Sequence, residues 1–162
     1  MSNKKPNLHP IVGSPAPDFD LRTPFGVVVR LTDCLREGPV LIDFIRGTWD
    51  PDARRRLKAL GEARERLQER KARILVVTCE RSSTAMAYLQ EHPSPLRLLI
   101  DPTRDVARRY GVLQRFSFPV WNVARPSSFL VDRCGFVRYS FVARLQIHSA
   151  DLEDVRKALE KI

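Results

Sequence analysis

Pro39-Val40-Leu41-Ile42-Asp43-Phe44-Ile45-Arg46-Gly47-Thr48-Trp49-Asp50-Pro51 decides the fold. Its first seven residues form an apolar run of strand length, the kind buried on both faces of a sheet. A helix is expected from about Asp52 to Arg70, where Leu57, Leu60, Ala63 and Leu67 recur at helical spacing. The chain therefore leaves a buried strand, turns through six residues and starts a long helix.

Working outward, the same alternation continues. Residues 73–78 are a second buried strand. Ser82 or Ser83 is expected to cap a helix that stops before Pro93 and Pro95. Residues 96–100 are a third strand, and a helix over 103–110 ends at Gly111. Residues 112–125, carrying Phe116, Phe118 and Trp121, read as irregular. Strands at 128–131 and 137–141 flank the hairpin signature Asp132-Arg133-Cys134-Gly135. Leu152, Val155, Leu159 and Ile162 line a terminal helix capped near Ser149. Upstream, residues 16–21 begin an extended segment and 27–31 form its hairpin partner after Gly26. Thr32 is expected to cap a short helix that Gly38 ends. Strands alternating with helices imply an α/β fold, a central mixed sheet with helices on both faces. Residues 1–10 read as a flexible tail and 11–162 as one domain.

The 162 residues suit one core, and 43% hydrophobic residues exclude a disordered chain. No apolar run approaches the ~20 residues that span a bilayer. The polar start Met1-Ser2-Asn3-Lys4-Lys5-Pro6 has no apolar signal region behind it, so a cytoplasmic protein with no membrane association is expected. The formal charge is +9, concentrated in Arg54-Arg55-Arg56-Leu57-Lys58 and residues 64–71. Two readings stand: an anion- or nucleic-acid-binding surface, or a solvated helix face. Acidic residues interrupt the second run and no aromatic residue interleaves to stack bases, which favours the solvated face over nucleic acid. The three cysteines, Cys34, Cys79 and Cys134, have neither metal-ligand nor Cys-x-x-Cys spacing, and no histidine adjoins them in sequence. Neither a metal nor a cofactor is expected.

Arg46-Gly47-Thr48-Trp49-Asp50-Pro51 resembles the Arg-Gly-x-Trp-Cys-Pro-x-Cys signature of the alkyl hydroperoxide reductase/thiol-specific antioxidant family, the redoxins of the thioredoxin superfamily. Residues 12–19 are similar to that family's opening, 101–112 to its mid-chain helix, and 125–132 to the strand entered through a cis-proline, here Pro126. The resemblance implies a thioredoxin-like, peroxiredoxin-like domain and antioxidant oxidoreductase chemistry. It also places Asp50 and Ala53 where family members carry their attacking and second cysteines. A thiolate at a helix start is stabilised by the dipole and attacks peroxide or disulfide. A carboxylate there has the charge without sulfur's chemistry.

The expectation is a peroxiredoxin-like protein with a degenerate active site, acting by binding or without catalysis. A first alternative is a thiol oxidoreductase or peroxidase using Cys79, which the topology puts at the Asp50 edge of the sheet. A second is the basic anion- or nucleic-acid-binding module. Arg46, Trp49, Pro51 and Pro126 are expected to line the site, with Trp121 as a further wall. Asp50 itself reads either as a helix cap or as a thiolate mimic holding a partner. Cys34 reads as core filler and Cys134 as an exposed thiol. The partner is expected to be an unidentified protein, if any, and the chain a monomer or homodimer.

Overall fold

The apolar runs become the middle of a sheet because they alone have two faces to bury. The structure, a computed structural model, describes residues 9–117, 120–145 and 147–162. Most of the expected tail (1–8) and Phe118 lie outside the described residues. The described elements in chain order are β1 (Asp20–Arg22), β2 (Val28–Arg30), α1 (Leu31–Glu37), β3 (Val40–Phe44), α2 (Pro51–Glu69), β4 (Arg73–Thr78) and α3 (Ser82–Glu91). They continue with β5 (Arg97–Ile100), α4 (Asp105–Arg109), β6 (Leu113–Ser117), β7 (Val120–Ala124), β8 (Ser127–Val131), β9 (Val137–Val142) and α5 (Leu152–Leu159).

Seven strands form one sheet in the order β2-β1-β5-β4-β3-β8-β9. β3, β4 and β5 run parallel, with Ile42 opposite Leu75 and Val77 opposite Leu99. β8 pairs antiparallel with β3, and β9 with β8. Side-chain alternation then sorts the core. Val40, Ile42 and Phe44 pack with Leu31, Cys34, Val106 and Tyr110 under α1 and α4. Leu41 and Ile45 pack with Leu57, Leu60, Leu67, Ala85, Val155 and Leu159 under α2, α3 and α5. Each fully buried leucine of α2 contributes about 1.5–3 kcal/mol, which fixes that helix across the sheet.

Residues 112–125 are not irregular. β6 and β7 form a separate antiparallel ribbon, with Phe116 opposite Trp121. Both rings are exposed and stack edge-to-face 4.8 Å apart, so the ribbon lacks the buried alternating face by which strands are read. Three caps also differ. β2 runs directly into α1, so Arg30 rather than Thr32 holds the N-cap position. Arg81 takes that place for α3, and the Ser82 hydroxyl donates instead to Pro24 O. Asp151, not Ser149, caps α5 by accepting the Glu153 N–H at 2.9 Å.

Candidate functional site

The turn between β3 and α2 is built by four constraints. Ile45 N–H donates to Val77 O, carrying the strand one residue further. Gly47 then lets the chain fold under Trp49: a Cβ there would lie 2.1 Å from the indole nitrogen. The Arg46 guanidinium sits 5.1 Å from the same ring centre, a cation–π contact. Thr48, fully buried, has every polar group engaged. Its N–H and hydroxyl donate to the two Glu80 oxygens at 2.9 and 2.8 Å, and its carbonyl accepts from Arg54 Nε at 2.5 Å. Burial pushes the Glu80 carboxyl up, against the lowering effect of the Thr48 and Thr78 hydrogen bonds.

Asp50 ends this turn as the N-cap of α2. Its backbone is extended (φ −85°, ψ 125°), Pro51 follows at the first helical position, and its carboxylate accepts the Ala53 N–H at 3.3 Å. The other carboxylate oxygen lies 3.6 Å from an Arg46 terminal nitrogen, and only 5% of the residue is exposed. Caps of this kind stabilise by about 1 kcal/mol. One turn on, Ala53 is buried; Asp52 pairs outward with Arg55.

Beneath the cap lies a polar cluster. Arg56 donates to Asp43 through Nε at 3.2 Å and a terminal nitrogen at 2.6 Å, and to the Ser128 hydroxyl at 3.1 Å. Its other terminal nitrogen reaches Ala150 O at 2.8 Å. Ser128 in turn donates to Asp43 at 2.6 Å. Arg56 is thus not part of the solvated helix face read from Arg54-Arg55-Arg56; it is buried, whereas Arg54 and Arg55 are exposed. A charge inside an apolar strand requires a partner, so Asp43 was the signal that a nearby cation had to be inside. Glu80 carried no such signal.

Asp50, Arg46, Ala53, Pro126, Asp43 and His148 line one cavity of about 30 Å³, room for a single water-sized molecule. The expected pair Asp50 and Pro126 therefore does meet. Of the other residues expected to line the site, Trp49 and Pro51 are exposed beside the cavity and outside its lining, and Trp121 is 68% exposed on the ribbon and outside it too.

The cysteines divide differently. Cys79 follows β4, next to Glu80, so it shares the sheet edge of the turn. Its side chain packs on the α1/α4 face, with the Phe44 and Ala124 group, while Ala53 packs on the other. Its thiol lies 3.9 Å from a buried Asp101 oxygen that also accepts the Ala107 N–H. Burial, then the Asp101 charge, push the Cys79 thiol up to about 12. Roughly one molecule in 10⁵ would carry the reactive thiolate at neutral pH. Cys34 is buried on α1 and Cys134 exposed in the β8–β9 turn.

A parallel β3-β4-β5 core continued by antiparallel β8 and β9, with the candidate turn at the C-terminal end of β3, is a thioredoxin-like arrangement. The solved peroxidoxin BcpB of Mycobacterium tuberculosis is similar at a TM-score of 0.84 and 19% identity, covering 95% of this chain and 99% of that one. A thiol peroxidase from Chromobacterium violaceum gives 0.78 at 25% identity (94% and 88% covered). The reduced 2-Cys peroxiredoxin of Plasmodium vivax gives 0.77 at 21% (92% and 80%). The chain belongs to the AhpC/TSA family, whose sequence profile matches residues 12–140. No curated protein sequence matches it. Among the described residues no helix is long and apolar enough to cross a membrane, and no three His, Cys, Asp or Glu side chains are grouped to hold a metal ion.

Proposed function

We propose that this AhpC/TSA-family chain has a degenerate active site. Asp50 and Ala53 stand at the positions of the redox cysteines, and the protein acts by binding rather than by thiol peroxidase or disulfide-exchange chemistry there. The observation that carries the reading is the state of Asp50. Its carboxylate caps α2, pairs with Arg46 and is almost wholly buried. An attacking thiolate must instead be reachable by peroxide and able to become sulfenic acid. Arg46 and the helix start would favour an anion at position 50 whether it is sulfur or oxygen. The partner of such a protein would be another protein that reads the turn around Trp49, Pro51 and Pro126.

The Cys79 mechanism is disfavoured by the physics of its surroundings, since a buried thiol beside a carboxylate is a poor nucleophile. Peroxide consumption with a dithiol reductant separates the readings. The expected result is turnover no faster than that of the reductant alone. Turnover that Cys79→Ser abolishes would establish the alternative and overturn the proposal.

A further inference from the structure

A large groove lies at the opposite end of β3 from Asp50, and nothing in the proposed function uses it. It has a volume of about 970 Å³, within the range of small-molecule sites. One wall is Gly38 and Pro39 at the start of β3, facing Arg70 and Lys71 after α2. The β8–β9 turn adds Arg133, β9 adds Arg138, α5 adds Lys157, and Lys161 follows just after α5. Of the three acidic residues in the lining, Asp132 is paired with Arg138 and Glu37 with Arg73. Among the described residues, Arg70, Lys71, Arg133, Lys157 and Lys161 have no ion pair; within the lining only Asp154 opposes them, and Glu153 acts on Lys157 from outside it. The C-terminal ends of α2 and α5 supply a partial negative charge of about half a unit each. An excess of about three positive charges remains, and about two even if a carboxylate at Ile162 is set against it.

One wall of the groove is tightly packed. Lys71 adopts φ +58°, a left-handed conformation rare for a residue other than glycine or asparagine. Gly38 packs so closely on it that a Cβ there would lie 2.1 Å from Lys71 O. Tyr139 and Ala158, both half-buried, give the groove an apolar side between the cations.

We propose that this groove binds a small polyanion carrying two or more linked phosphates, either free or as the phosphate chain of a nucleotide. Point charges from Lys and Arg match phosphate oxygens, and Tyr139 offers a face to an attached ring. The inference does not depend on the reading of Asp50.

Calorimetric titration of the full chain with inorganic tripolyphosphate and with ATP, at 150 mM salt, tests it. One-to-one saturable binding is expected, with at least tenfold weakening in Lys157→Glu/Lys161→Glu. Tighter ATP than tripolyphosphate assigns the ring to the Tyr139 side; equal affinity assigns binding to the phosphates alone. Lys71→Gly should weaken binding threefold or more while leaving Tm unchanged or higher, a split that misfolding cannot produce. Bound ligand should also slow alkylation of Cys134 by iodoacetamide. Three results would overturn the proposal: no saturable binding of either probe, equal weakening by the charge-matched Arg115→Glu/Arg144→Glu outside the groove, or a single-stranded oligonucleotide that binds and is not displaced by tripolyphosphate.

Discussion

Replacing Arg56 by methionine removes one half of the charge pair beneath the candidate site. Asp43, 2% exposed, would keep only the Ser128 hydroxyl as donor, and Ala150 O would lose its partner. Breaking a buried pair from one side costs about 3–5 kcal/mol, mostly the uncompensated charge that remains. A domain of this size has a total stability of about 5–15 kcal/mol, so the variant folds with a much reduced margin. With a urea m-value of about 2 kcal/mol per molar, the midpoint should fall by about 1.5–2.5 M with the slope unchanged. The double change Asp43→Leu/Arg56→Met should recover at least half of that loss, because apolar replacement of both partners is close to neutral. The assay is urea unfolding followed by far-ultraviolet circular dichroism at pH 7. A midpoint within 0.5 M of wild type for Arg56→Met (about 1 kcal/mol) would refute the buried-pair account, as would a double variant weaker than the single one.

Glu80 has its folded-state carboxyl raised, primarily by burial. Its contribution to stability is therefore full below the unfolded value of ~4.3 and is lost as pH rises through the raised folded value. Subtracting the stability–pH curve of Glu80→Gln from that of wild type should isolate a component that declines over this window; a rising component would contradict the assignment. Native thiol counting should find one fast-reacting cysteine, Cys134, and all three only after unfolding. Fast modification of Cys79 in the native protein would show that its burial is not maintained. Asp50→Cys/Ala53→Cys should form an internal disulfide under mild oxidation, seen by mass spectrometry, because N-cap and third helical position are one turn apart; no bridge would mean the turn cannot support the family's geometry.

The sheet and its long helix were legible because the runs 39–45, 73–78 and 96–100 are buried on both faces, and such runs have few alternative structures. The β6–β7 ribbon was not, because Phe116 and Trp121 face solvent and leave no alternating pattern to read. Asp50 as a cap followed from its place before Pro51 and the helical stripe. Its pairing with Arg46 depends on how the turn folds back, which spacing alone leaves open. Arg56 sits between Arg55 and Leu57, and whether it faces the sheet or solvent turns on a rotation of one residue about the helix. The stripe through Leu57, Leu60 and Leu67 leaves position 56 at its edge, and the buried charge on Asp43 draws Arg56 inward. The Glu80 clamp on Thr48 joins residues 32 apart in sequence through a parallel strand pairing, a long-range contact that local patterns do not encode.

The proposed degenerate site makes position 50 an anion site at a helix start, with a carboxylate where the family's thiolate would stand. Alkylation rate against pH for Asp50→Cys, in a background where Cys134 is replaced by serine, tests this most directly. The account predicts a thiol that titrates below the unperturbed value of roughly 8.5, held down by the α2 N-terminus and by Arg46, which lies 3.6 Å from the present carboxylate. A thiol that titrates at or above that value would contradict it, and would mean that the turn around Asp50 has been rebuilt for a carboxylate rather than inherited from a thiolate site.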